Sequence, residues 1–131
     1  MSVTIQELDW KYVELGRIVL IGDTKLATVV EIIDNKRVLI DGPTIPRQAI
    51  TLKKVTFTDI VLPNLPKGVR TATVHKKWAA ADIDAKWAAS APAKKLANKA
   101  RRAALNDFER FQVRVLKKQR FDAARRIAAK A

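Results

Sequence analysis

A small β barrel followed by a long basic α-helical extension is the fold class this chain predicts, on three observations. Short apolar, β-branched runs punctuated by Gly, Pro, Asp and Asn fill the first half, the pattern of a small sheet that closes to hide its edges. Ala, Lys and Arg, all strong helix formers, take over from about Thr73. The charge divides along the same line: residues 1–75 hold ten Lys/Arg and eight Asp/Glu, whereas residues 76–131 hold sixteen and five, within a net charge of +13. The expected division is a barrel over residues 1–72 and an extension over residues 73–131, in a chain too short for two full domains.

Residues 28–43, TVVEIIDNKRVLIDGP, form the centre of the barrel as a hairpin. Val29, Val30, Ile32 and Ile33 make one β-branched run and Val38, Leu39 and Ile40 a second. Asp34-Asn35-Lys36 between them is turn chemistry, because Asp and Asn tolerate the left-handed backbone a hairpin turn needs. With Glu31 toward solvent, alternation sends Val30 and Ile32 inward, opposite Val38 and Ile40. Residues 1–9 carry little pattern, while residues 10–13 and 17–21 read as strands separated by a turn or bulge at Gly16, with Trp10 and Tyr12 in the core. Residues 22–25 make a polar turn into the hairpin. Residues 45–50 read as a fourth strand with Pro46 at its start, where a missing N–H is tolerated, and residues 51–62 as a fifth. The breaker-rich residues 63–68 end the barrel.

Thr73 is the expected N-cap of a helix over residues 73–89. Trp78 and Trp87, nine residues apart, then face opposite sides, as suits a helix wedged between two surfaces. Ser90-Ala91-Pro92 breaks it, and Pro92 fits the first turn of a second helix over residues 93–104. Asn106 with Glu109 three residues on is a capping-box signature opening a third helix over residues 107–129. Phe108, Phe111 and Val115 fall on one stripe of it, with Arg110, Arg114, Lys117 and Lys118 expected on the far side. This helix has little core of its own and needs a partner.

Several classes of function are excluded or unsupported. The chain has no Cys and one His, His75, so thiolate chemistry and multi-histidine metal sites are ruled out. No nucleophile or paired carboxylate accompanies His75 at a spacing that suggests catalysis, so no enzyme, cofactor or small-molecule substrate is expected. Asp82 and Asp84 read as solvated or salt-bridged rather than metal-binding. No apolar run approaches the roughly 20 residues of a membrane span, and the first residues lack the basic-then-apolar order of a secretory signal. The uneven charge is the positive signal: it marks the second half as a polyanion-binding arm.

At residues 13–20, 30–34, 38–43, 46–49, 70–74 with 76–78, and 101–111, the chain resembles the eukaryotic-type family of ribosomal protein fourteen of the large subunit. The segments run in order and cover most of the chain. The resemblance implies an SH3-like barrel of the KOW-related kind with a C-terminal helical extension. It also implies a structural role in the large ribosomal subunit, bound to ribosomal RNA and neighbouring ribosomal proteins, in cytoplasmic ribosomes assembled via the nucleolus. One departure is visible. The family carries a longer loop with Ala-Gly-Lys between its first strands; here Lys25-Leu26-Ala27 aligns with its end and Thr24 replaces the Gly, so no RNA contact is carried over to that turn.

On this reading the RNA-contacting residues of the extension are His75, Lys76, Lys77, Trp78, Lys94, Lys95, Lys99, Arg101, Arg102, Arg110, Arg114, Lys117 and Lys118, joined on the barrel by Arg17, Lys36, Arg47 and Arg70. Lys and Arg placed on phosphates release condensed counterions. Arg47 and Arg70 suit a bidentate phosphate fork, against a competing ion pair with Asp41 or Asp59. His75 reads as a hinge or phosphate contact, and Trp78 lies between base stacking and packing. Phe108 and Phe111 are expected to pack, since their stripe is regular. The alternative function is a non-ribosomal, chromatin-type nucleic-acid-binding protein, against which the Arg-rich helices with aromatics argue. A membrane-surface or protein-partner helix is a third, and for lipid insertion an Ala-dominated apolar face is a poor anchor.

Overall fold

The β-branched runs become five antiparallel strands: β1 (Arg17–Ile21), β2 (Lys25–Ile32), β3 (Arg37–Asp41), β4 (Gln48–Thr51) and β5 (Val55–Val61). Their order in the sheet is β4-β3-β2-β1-β5, so the chain meanders outward from β1 to β4 and then returns to pair β5 with β1. The 3-10 turn Leu52–Lys54 carries the chain across the seam between β4 and β5. Four helices follow, α1 (Thr71–Ala80), α2 (Ile83–Ala89), α3 (Ala91–Ala103) and α4 (Asp107–Lys130). This is the barrel-like domain with a helical extension that the pattern predicts. The computed structural model describes residues 3, 5 and 8–131, which form two compact units, Met1–Ser90 and Ala91–Ala131.

Both faces of the sheet are buried in the first unit. Val19, Ala27, Val29, Val38, Ile40 and Ile45 form one core cluster, with Ile50, Leu52, Val55 and Phe57 packed against it. By alternation Ile18, Leu20 and Leu26 point the other way, and they too are buried. Of the remaining buried apolar residues of the unit, Val30 lies in β2, and Leu62, Leu65, Val74, Trp78 and Ile83 lie in the chain that follows β5. The unit therefore runs to Ser90 rather than to residue 72, because α1 and α2 each contribute buried side chains.

Gly16 is the tightest point of this unit. Its N–H donates to the Val29 carbonyl at 2.8 Å and its carbonyl accepts from the Leu62 N–H at 2.7 Å, so two distant segments meet at one residue. Its φ is +86°, and a Cβ there would lie 2.3 Å from the Leu62 carbonyl oxygen. Only glycine meets both conditions.

Several local expectations are corrected. Residues 10–13 form no strand, and Trp10 and Tyr12 are exposed, at 65% and 60%. In the hairpin Ile32 pairs with Val38 as expected, but Val29 pairs with Ile40 because the register shifts between Val29 and Glu31. Val29 and Val30 are both buried, because both faces of the sheet are covered there, and Ile32 lies at the exposed end of β2. The fourth strand starts at Gln48 rather than residue 45, and residues 52–54 leave the fifth as a 3-10 turn. The helix starts at Thr71, with Arg70 rather than Thr73 at the N-cap. It does not reach Ala89 unbroken: Asp82 adopts a left-handed φ of 51° and separates α1 from α2. The two indoles thus sit on different helices, Trp78 buried and Trp87 half-buried, and the continuous phase between them is lost.

Candidate nucleic-acid interface

The second unit is held by local rules alone. Pro92 lies in the first turn of α3, where its missing N–H is harmless. At the other junction Asn106 accepts the Glu109 N–H at 2.8 Å while Glu109 accepts the Asn106 N–H at 3.1 Å, a complete capping box that sets the first turn of α4. Neither α3 nor α4 has a buried residue. Residues 91–131 carry thirteen Lys/Arg against three Asp/Glu. Among the described residues none of those thirteen cations forms a salt bridge.

On α3, Lys95, Lys99 and Arg102 stand at i, i+4 and i+7, so they share one row; Lys94 and Arg101 flank it, and Arg101 donates to the Asn98 side chain. All five cations are exposed. On α4, Arg110, Arg114 and Lys117 again share a row at i, i+4 and i+7. Lys118 does not join it on the far side as expected: seven residues from Phe111, it lies beside the apolar stripe. Phe108, Phe111, Gln112, Val115 and Leu116 line a shallow groove of about 430 Å³. Phe108 and Phe111, expected to pack, are exposed within this unit at 66% and 58%.

The first unit uses several of the expected contact residues for itself. Arg17 is buried; its guanidinium donates to the Tyr12 carbonyl at 2.9 Å, the Thr58 carbonyl at 3.1 Å and Glu14 at 2.9 Å. It is withdrawn from the RNA set, because its donors bind residues 12–14 to β5. Arg47 reaches the fully buried Asp41 at 3.3 Å and donates to the Val69 carbonyl, so the ion-pair reading holds there over the fork. Lys77 donates to the Asn64 carbonyl. Trp78, 4% exposed, donates its indole N–H to Asp84 at 3.1 Å, which settles it as a packing residue in this fold. Asp84 is thereby hydrogen-bonded rather than salt-bridged. Arg70, His75 and Lys76 are exposed, and His75 lies inside α1 rather than at a hinge.

Lys36 is exposed too, and the fold gives it company the sequence did not. The Leu52 N–H donates to the Lys36 carbonyl at 2.8 Å, bringing Lys53 and Lys54 of the 3-10 turn beside the hairpin turn. Asp34 pairs with none of the three lysine ammonium groups. One oxygen accepts the Lys36 and Arg37 N–H groups at 2.8 Å, and the other pairs with the Arg37 guanidinium at 2.8 Å. The Lys36 N–H, and after it the Arg37 side chain, hold the Asp34 carboxyl below the usual carboxylate range. Lys36, Lys53 and Lys54 thus form a cationic corner with no salt-bridge partner among the described residues. Alternation within a strand does not show such a corner, because it arises where the β3–β4 ladder is extended past Arg37 and Thr51.

A nearly charge-balanced barrel joined to helices whose many cations form no salt bridge among the described residues defines a class: a small folded module with a strongly cationic helical appendage. The profile of the family described as Ribosomal protein L14 matches residues 46–121, more than half of the chain. The chain is 67% identical to large ribosomal subunit protein eL14 of Candida albicans over 131 residues, all of both chains. It is 50% identical over 127 residues to the protein of that name from Schizosaccharomyces pombe, covering 92% of this chain and 94% of the relative. With that of Pisum sativum it shares 36% over 124 residues, 92% of each. The chain belongs to the L14 family of ribosomal proteins.

Proposed function

We propose that this protein is a structural constituent of the large ribosomal subunit, as its relatives' names describe them, and that it binds ribosomal RNA mainly through α3 and α4. One observation carries the reading: thirteen Lys/Arg stand against three acids on two helices without a buried residue. Such a surface repels itself and is stabilised by an array of phosphates. The contacting set is Lys94, Lys95, Lys99, Arg101, Arg102, Arg110, Arg114, Lys117 and Lys118, with Arg70, His75, Lys76 and the corner at Lys36 as contacts of the first unit. The groove at Phe108 and Phe111 supports a neighbouring ribosomal protein as the second partner. No helix among the described residues is long and apolar enough to cross a membrane. The protein acts in cytoplasmic ribosomes after nucleolar assembly, and its role involves no catalysis. Co-sedimentation of the tagged protein with large subunits through a salt wash, followed by crosslink mapping, tests this. RNA crosslinks are expected from residues 94–118; release at modest salt into a DNA-bound fraction would overturn the reading.

A further inference from the structure

We propose that Phe121 is a stacking platform for an unpaired nucleobase, set in a row of cations that hold the adjoining phosphates. This rests on the RNA-binding reading above and names a site within it. Arg110, Arg114, Lys117, Phe121 and Arg125 stand at i, i+4, i+7, i+11 and i+15, so they form one unbroken row of α4, about 22 Å long. Four of its members are cations and one is aromatic. All five are exposed, Phe121 at 61%. The Arg125 guanidinium carbon lies over the Phe121 ring, 5.8 Å from its centroid, within cation–π range.

The fold gives the ring no other reason to be there. The helix buries no residue, and its other two phenylalanines line the apolar groove on a different row. An Arg–Phe pair four residues apart serves a helix equally well on any face. Here it lies among the cations, which joins the two properties that single-stranded nucleic-acid sites combine: a positive track for the backbone and a π face for the bases. Paired RNA presents no free base face, whereas loops and bulges do. The ligand class is therefore a looped, bulged or terminal nucleotide rather than a duplex.

The test uses the full chain and two RNAs, a fully paired stem and the same stem with one bulged purine, titrated across a range of salt. Phe121→Leu keeps a strong helix former and an apolar side chain but removes the ring. It is expected to weaken binding to the bulged RNA about 5- to 100-fold and to the paired stem less than about twofold. The slope of log affinity against log salt stays unchanged, because stacking releases no counterion. Phe121→Tyr restores the bulge preference, and Arg125→Gln lowers the slope by about one. Equal affinity of Phe121→Leu and the parent for the bulged RNA, or an equal loss on both RNAs, overturns the stacking site while leaving the RNA-binding reading intact. Failure of the parent chain to bind either RNA at physiological salt overturns that reading and the stacking site with it.

Discussion

Residues 1–90 and 91–131 solve stability in opposite ways. The first unit buries both faces of its sheet and nearly balances its charge, with thirteen Lys/Arg and ten Asp/Glu. It commits even Arg17 and Arg47 to internal partners. The second unit buries nothing, carries ten net positive charges and is organised by a proline, a capping box and side-chain rows. Burial and free charge have been separated along the chain. The lesson is that cations in a basic protein are not equivalent: six of the thirteen in the first unit have internal partners, whereas none of those in the second forms a salt bridge among the described residues.

The comparison is tested first where the effect is largest. Replacing Lys94, Lys95, Lys99, Arg101 and Arg102 together by Gln is expected to lower the salt slope of RNA binding by about 3.5–4.5. Affinity at physiological salt should fall by orders of magnitude, with the thermal midpoint of the first unit unchanged; filter binding and calorimetry read the two effects. Gly16→Ala should do the reverse. A Cβ 2.3 Å from the Leu62 carbonyl in a left-handed backbone is expected to destabilise the first unit by about 3 kcal/mol, lowering its midpoint by some ~10 °C or more. The helicity of residues 91–131 should not follow.

Arg17→Met sharpens the same contrast. Loss of a buried guanidinium with three protein acceptors is expected to destabilise by about 2 kcal/mol in urea melts. The salt slope for RNA should not change, and a drop of about one would return Arg17 to the contact set. Asn106→Ala removes the cap of α4, about 1 kcal/mol of local helix stability, visible as lost far-UV ellipticity without change in the near-UV signal of the barrel. In the free protein, amides of residues 91–131 should exchange far faster than those of β1–β3, since no packed core holds the helices; full protection there would contradict the division.

The smallest effect is that of Asp34. Its carboxyl ionises below the ordinary aspartate value when folded, so its contribution is present above that value and is lost as pH falls through the lower folded one. Asp34→Asn should remove this part of the acid limb of a pH melt and leave neutral-pH RNA binding unchanged.

What could be read directly in the sequence was chemistry confined to a few neighbours. The Asp34 turn, the Pro92 start and the Asn106–Glu109 box each depend on residues within one turn, and each is in the structure. The Asp34 turn, however, is held by its carboxylate on the Lys36 and Arg37 N–H groups and not by the left-handed backbone expected at residues 34–36. Features set by distant segments were hidden. Ala-Ala-Asp-Ile-Asp reads as continuous helix, yet Asp82 breaks it so that α1 and α2 both bury residues. The bulge between Val29 and Glu31 moves the pairing so that Val29 rather than Val30 lies opposite Ile40, which strict alternation does not show. Residues 10–13 have the pattern of a strand with Trp10 and Tyr12 inward, but no strand forms there and both rings are exposed. In the interface, cationic rows followed from spacing, whereas Lys53 and Lys54 emerged only from the hydrogen bond between Leu52 and Lys36.

The capping box has one further consequence. Because Asn106 and Glu109 lock the start of α4, every later side chain inherits its azimuth from that turn. A single alanine inserted after Leu116 would rotate everything downstream by about 100°, parting Phe121 and Arg125 from Arg110 and Arg114. Length, pI and net charge would barely change. A protein that merely coats a polyanion would tolerate this twist; one that docks along a defined meridian would not, and a seven-residue insertion at the same point would bring it nearly back into phase.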